Sequence, residues 1–308
     1  MIRKTVKTIY LCVLLGLLVF NLFTSSLWAN ESVKVMGSDI GWPVFSNVDI
    51  SSVHPFAEQF ETIDPNFLDD GVTAFKGVRL SKLLDVAGVN AGSGITMIGS
   101  DQYVGFLPAG YLNQSFLVWE MNQKPIPAIK GGPLKIMFPD SIGMHTSCYT
   151  WYLEAIVADP LKNAELTVEI KETKKVFSKE ELHPLSEPLK PALFSMAQGC
   201  RNEFEKQSGG KKVMAVPLSA LLQQKGKPLD KSKFSFIQVK PFVGPAITFE
   251  PKILDYPVTI IISCDGHRLH PALGGPFSLV FPLEDYPELG SVVPESGALF
   301  FLEKIVAR

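Results

Sequence analysis

The chain has 308 residues, 46% of them hydrophobic, with 29 Lys/Arg against 31 Asp/Glu and a formal net charge of -2. That length suits two domains of ordinary size or one large one, with apolar content enough for a packed core. The balanced charge excludes the basic field of a nucleic-acid binder and an acidic interaction tail, so no nucleic-acid partner is expected.

The chain opens with Arg3, Lys4 and Lys7 ahead of an apolar run from Ile9 to Phe23, then "TSSLWANES" with Ala29 at a cleavage position. This pattern reads as a secretory signal peptide over 1–29 and predicts a periplasmic or secreted protein. The rival reading is an uncleaved anchor, since the run falls slightly short of the ~20 residues that span a bilayer. No later run is long and apolar enough to cross a membrane, so no span is expected after cleavage. Beyond Ala29 three cysteines follow, Cys148, Cys200 and Cys264. An odd number in an oxidising compartment predicts one disulfide and one thiol, and no C-x-x-C or zinc-type spacing is present.

Residues 31–76 alternate strand-like segments with Gly, Pro and Asn breaks and are expected to complete a first domain. After them the sequence repeats itself. "GVRLSKLL" from Gly77 matches "AVPLSALL" from Ala215, each read as a short amphipathic helix entered from a turn. "ITMIGSDQYVGFLP" from Ile95 answers "FSFIQVKPFVGPAI" from Phe234, both strand-like. "FLVWEMNQKPI" from Phe116 answers "TIIISCDGHRL" from Thr259, a strand, a polar turn and a short strand, the second turn being the hairpin-favouring pair Asp265-Gly266. "GGPLKIMFP" from Gly131 answers "GGPFSLVFP" from Gly274, and "WYLEAIVA" from Trp151 answers "FFLEKIVA" from Phe300. Five blocks in register point to an internal duplication, with copy one over 30–160, a strand and Pro-punctuated connector over 161–194, and copy two over 195–308. Short strands, one-sided helices and many Pro/Gly turns predict an α+β fold with mixed sheets. No G-x-G-x-x-G or P-loop is present, so nucleotide binding of those kinds has no support.

The order "GVRLSKLLDVAGV", the aspartate-x-tyrosine turn of "SDQYVGFLP", "WEMNQKPIP", "KGGPLKIMFP" and "TWYLEAIVA" resembles the molybdopterin-binding domain of the sulfite-oxidase superfamily, over Gly77 to Ala158 and more weakly over Ala215 to Ala307. The resemblance implies a pyranopterin held by backbone groups and by cationic or amide side chains near its phosphate, with a cysteine thiolate on the metal. It matches Asp101 and Tyr103 to the family's Asp-Gly-Tyr turn, with Gln102 in place of the glycine. It sets Lys130 and Lys135 at the phosphate positions, where Lys lacks the bidentate geometry of Arg. The ligand cysteine expected before the Gly-Val-x-Leu block is absent from "ETIDPNFLDDGVTAFKGVRL", and the family's Lys-Trp is Thr150-Trp151. In copy two the pattern reverses: Cys200 falls where a metal ligand belongs, but the phosphate positions become Leu273 and Ser278 and the turn becomes Lys240-Pro241-Phe242.

Other candidates are weaker. His145 near Cys148 allows a Cys-His nucleophilic pair, with no orienting third residue evident, and a solvated loop histidine is the plainer reading. His267 and His270 have metal spacing only on a helix, whereas a hairpin is expected there. Trp119 and Trp151 are expected in the core, and Asp285, Glu288 and Glu295 in a solvated acidic loop. Two function classes follow. One is an exported molybdopterin-dependent oxidoreductase acting on a small-molecule substrate or with a periplasmic redox partner. The other is a non-catalytic descendant that binds a ligand or protein in the same cleft.

Overall fold

The computed structural model describes residues 31–37, 44–101, 103–144, 146–159, 161, 164–189, 212–223, 229–294 and 297–308. The expected signal peptide, Gln102, His145, Cys200 and Glu295 lie outside the described residues. No described helix is long and apolar enough to cross a membrane.

In chain order the N-terminal half contains strands β1 (Ser32–Met36), β2 (Ser46–Asp49), β3 (Glu58–Ile63), β4 (Val72–Arg79), β5 (Gly94–Gly99), β6 (Val104–Pro108), β7 (Phe116–Met121), β8 (Lys124–Pro125), β9 (Lys135–Met137) and β10 (Leu153–Asp159). Helix α1 (Ile50–Val53) follows β2, and α2 (Leu80–Ala87) follows β4. The C-terminal half contains β11 (Glu165–Ile170), β12 (Thr173–Ser178), β13 (Glu187–Pro188), β14 (Val213–Pro217), β15 (Ile237–Pro241), β16 (Ile247–Phe249), β17 (Thr259–Cys264), β18 (His267–Arg268), β19 (Ser278–Val280), β20 (Ala298–Leu299) and β21 (Leu302–Ala307), with α3 (Lys179–Leu182) and α4 (Leu218–Leu222). Mixed sheets and few short helices match the α+β expectation.

Each half carries two sheets with one topology. The outer order β2-β1-β10-β5-β6 repeats as β12-β11-β21-β15-β16, and in both the closing strand returns parallel to the opening one, β10 on β1 and β21 on β11. The second sheets run β3-β4-β7-β8 with β9 on β7, and β13-β14-β17-β19-β20 with β18 on β17. The stretch expected as a connector is therefore partly structural: the hairpin β11-β12 pairs in register from Glu165↔Ser178 to Ile170↔Thr173 and adds to β21. Its alternating Leu166, Val168 and Phe177 are buried, which the charge-rich composition of the segment obscured.

The helix blocks begin later than their sequence match. Gly77 to Arg79 end β4 and Ala215 to Pro217 end β14; only from Leu80 and Leu218 does the chain turn helical. Leu80, Leu83 and Leu84 form the buried face of α2, and Gly88 closes it at φ 70°, donating its N–H to the last carbonyls.

The β5 strand, GITMIG, is buried throughout because its sheet is covered on both faces. Val33, Val35, Ile95, Met97 and Ile156 belong to the core of their own half. Met36, Ile98, Val104, Ala155 and Val157 belong to the core cluster of the C-terminal half. Phe106 meets His270 edge-on at 5.4 Å and Phe45 meets Phe242 at 5.4 Å across the same junction.

Candidate functional site

The site is built on the repeated Gly-Gly-Pro turn. Gly131 adopts φ 86°, and a Cβ there would lie 2.5 Å from Trp151 Cγ; a Cβ on Gly132 would lie 1.9 Å from the Ile126 carbonyl oxygen. The C-terminal half shows the same arrangement at Gly274 (φ 81°, against Phe300) and Gly275 (1.8 Å from the Leu269 carbonyl oxygen). Both Gly-Pro bonds are cis. Tyr152 N–H donates to the Gly131 carbonyl and Phe301 N–H to the Gly274 carbonyl, each at 2.8 Å, so the turn grips the residue that opens the closing strand. Close backbone approach thus accounts for both glycines.

In the N-terminal half this grip sets Trp151 at the base of a cleft of about 330 Å³ lined by Asn66, Asp101, Tyr103, Thr146, Tyr149 and Trp151. Asp101 Oδ1 accepts the Tyr103 N–H at 3.0 Å and closes the β5-β6 turn. Tyr149 packs edge-on against Phe138 at 4.9 Å. Burial, with the carboxylates of Asp140 and Asp64 and the Cys148 thiol nearby, pushes its phenol up to about 12. It is therefore a neutral donor at any physiological pH.

Asp101 and Tyr103 thus line one cleft. The lysines sit elsewhere. Lys135 is fully buried, bound to the Asp64 carboxylate, and donates to the Lys130 carbonyl at 3.3 Å. Burial lowers its pKa, opposed by the hydrogen bond and charge of Asp64. Lys130 pairs with Asp70 at 2.6 Å. Between them lies Phe67, stacked on Trp151 at 5.3 Å, with Lys130 Nζ 3.9 Å and Lys135 Nζ 5.2 Å from the Phe67 ring centre. Sequence reasoning missed Asp64, Asn66 and Asp70, all in the loop "DPNFLDD" between β3 and β4. Asp64 Oδ1 accepts from the backbone N–H of Asn66 at 3.0 Å, which folds the loop and leaves Oδ2 for Lys135. The Asp-Pro-Asn string signals such a turn, but nothing in it names a lysine more than sixty positions away.

The remaining candidates fall out by geometry. Cys148 and Cys264 are both buried thiols in different halves, so they do not form the expected disulfide with each other. Burial also withholds Cys148 from a nucleophilic role. His267 lies on β18, opposite Cys264 across the hairpin turn, so it and His270 share no helix face. At the positions matching the lysines, Leu273 is buried and Ser278 Oγ is buried and donates to the Gly274 carbonyl at 2.7 Å. Lys240 pairs with Glu303 at 3.1 Å.

A molybdopterin needs cations for its phosphate and a soft thiolate for its metal. Here chain carboxylates neutralise both lysines and, among the described residues, the one charged side chain in the cleft wall is the acid Asp101 and no group of three or more His, Cys, Asp or Glu is placed to hold a metal. The described residues do not fit the group.

Residues 69–157 match the family model described as the oxidoreductase molybdopterin binding domain. No curated protein matches the chain. A similar solved structure is the sulfane dehydrogenase SoxCD from Paracoccus pantotrophus, with 14% identity and a TM-score of 0.35 over 42% of this chain. The chain spans 38% of that protein's chain. The family match over residues 69–157 and the motif order of the N-terminal half agree in likening this part of the chain to the oxidoreductase molybdopterin binding domain.

Proposed function

We propose that the chain is an exported binding protein, derived by duplication of a sulfite-oxidase-type domain, in which the aromatic cleft captures a small ligand without molybdenum redox chemistry. The observation that carries this reading is the internal neutralisation of Lys130 and Lys135 by Asp70 and Asp64. The loop at which the family resemblance places a metal-ligating cysteine supplies both carboxylates. Export is supported by the basic and apolar pattern of residues 1–29, and duplication by the matched strand orders and paired Gly-Gly-Pro turns.

A second reading, a molybdopterin-dependent oxidoreductase, is favoured by the family match over 69–157. It requires a thiolate, and Cys200 is the cysteine the sequence offers for it. The two readings separate by metal content. Protein purified from the periplasm of a molybdate-replete host competent in cofactor synthesis is expected to be folded and free of molybdenum and pterin. Near one metal and one pterin per chain, lost on Cys200→Ser, overturns the binding reading and installs the oxidoreductase.

A further inference from the structure

The two halves differ after the Gly-Gly-Pro strand. The N-terminal half reaches Trp151 through residues 140–150, the C-terminal half reaches Phe300 through the longer segment 283–299. Composition alone makes that segment a solvated acidic loop. In the structure it folds back as a 3-10 turn, Pro287–Ser291, whose Leu289 is buried in one cluster with Phe249 and Ile253. Tyr286 meets Tyr256 edge-on at 5.2 Å, and desolvation together with the Glu288 carboxylate beside it raises the Tyr256 phenol pKa.

Between this turn, the end of β16 and the turn Pro251–Asp255 lies a cavity of about 430 Å³. That size falls within the range of small-molecule sites. Its apolar floor is Phe249, Ile253 and Leu289, each at most 4% exposed. At its rim Lys252 is held by Glu250 at 2.9 Å, which leaves Glu288 as the rim charge with no ion-pair partner among the described residues. Aromatic faces attract cations through the ring quadrupole.

We propose that this cavity binds a small organic amine, its apolar body on Phe249, Ile253 and Leu289 and its ammonium on the Glu288 carboxylate beside the Tyr256 ring. The site lies in the C-terminal half and is independent of the cleft described above. The chemistry sets an order of ligands: a cation gains from Glu288, a neutral isostere gains only the floor, and an anion is repelled.

The test is a titration of the full mature chain, with methyl-labelled Leu and Ile observed by NMR, against 2-phenylethylammonium, 2-phenylethanol and 3-phenylpropionate. Saturable shifts at Leu289 and Ile253 are expected for the ammonium, with binding about three- to tenfold weaker for the alcohol. No saturation is expected for the carboxylate. Glu288→Gln, at an exposed position, is expected to bring the amine to the level of the alcohol. Thr248→Trp, filling the cavity from an exposed strand position, is expected to abolish both. Equal binding of amine and carboxylate, insensitivity to Glu288→Gln, or no saturation by the amine up to about 10 mM overturns the proposal.

Discussion

Lys135 is the residue on which the N-terminal site turns. A buried ion pair recovers its desolvation cost only through good geometry, and removing one partner strands the other. Asp64→Asn is therefore expected to cost about 3–5 kcal/mol in urea denaturation, while the double change Lys135→Met with Asp64→Leu is expected to recover most of it. A loss in the double variant as large as in the single would show that the pair does more than satisfy itself. Tyr149 supplies a pH signature. Its folded pKa, about 12, lies above the ordinary value of 10, so the native state holds the proton more tightly than the unfolded chain. The associated stability is fully present below pH 10 and disappears as pH rises from 10 to 12. It is worth about 2–3 kcal/mol, and Tyr149→Phe is expected to flatten that part of the stability profile. Burial likewise depresses the Lys135 pKa, so stability is expected to rise with pH between its folded value and 10.5, the opposite sign. The motif order singled out Asp101 and Tyr103, which line the same cleft. The partners of the lysines were not, because a carboxylate finds a cation through the fold and not through spacing.

At the scale of elements, the turns were the most legible parts. Asp265 and Gly266 at φ 51° and 79° make the β17-β18 hairpin turn, and Asn122 and Gln123 at φ 51° and 62° make the same turn between β7 and β8. The first follows from its Asp-Gly pair; the second, lacking glycine, is imposed by its strands. The Gly-Gly-Pro turns lead to a sharp prediction. Gly132→Ala and Gly275→Ala each drive a methyl into a backbone carbonyl that cannot yield cheaply, and each is expected to lower stability by about 2–4 kcal/mol. Gly88→Ala meets no atom within 4 Å and bears only the left-handed backbone penalty, about 1 kcal/mol. Thermal unfolding of the three variants ranks them, and a Gly132→Ala as mild as Gly88→Ala would remove close approach as the reason for the repeated glycines. Helix starts were misplaced at both matched blocks. Val78 and Val216 continue buried strands there, and pairing to β7 and β17 overrides the local helical pattern.

At the scale of the molecule, the β2-β1-β10-β5-β6 sheet couples the halves by packing one face into each core. Ile98 and Val157 face the C-terminal core, while their neighbours Met97 and Ile156 face the N-terminal one. The chain is expected to unfold in one transition. Trp119 and Trp151 report on the N-terminal half, and 161–308 contains no tryptophan, so emission and far-UV circular dichroism follow different parts of the chain. Coincident denaturant curves are the expected outcome; emission that changes at a lower concentration would show the halves to be independent. Ile98→Asp places a charge in the junction, and its expected cost of about 3 kcal/mol or more falls on both probes together.

By itself the sequence made legible the internal similarity of its two halves, the α+β class, the turn chemistry and the family resemblance carried by Gly77 to Ala158. These rest on local propensity and on the order of motifs along the chain, which need no knowledge of neighbours in space. Tertiary structure alone decided that 165–178 joins the C-terminal sheet, that one sheet is covered on both faces, that Asp64 and Asp70 consume the lysines, and that Glu288, Leu289, Ser291 and Val292 wall a cavity. Each of these depends on which groups meet across long separations in the chain, where burial turns a distant carboxylate or side chain into the deciding neighbour.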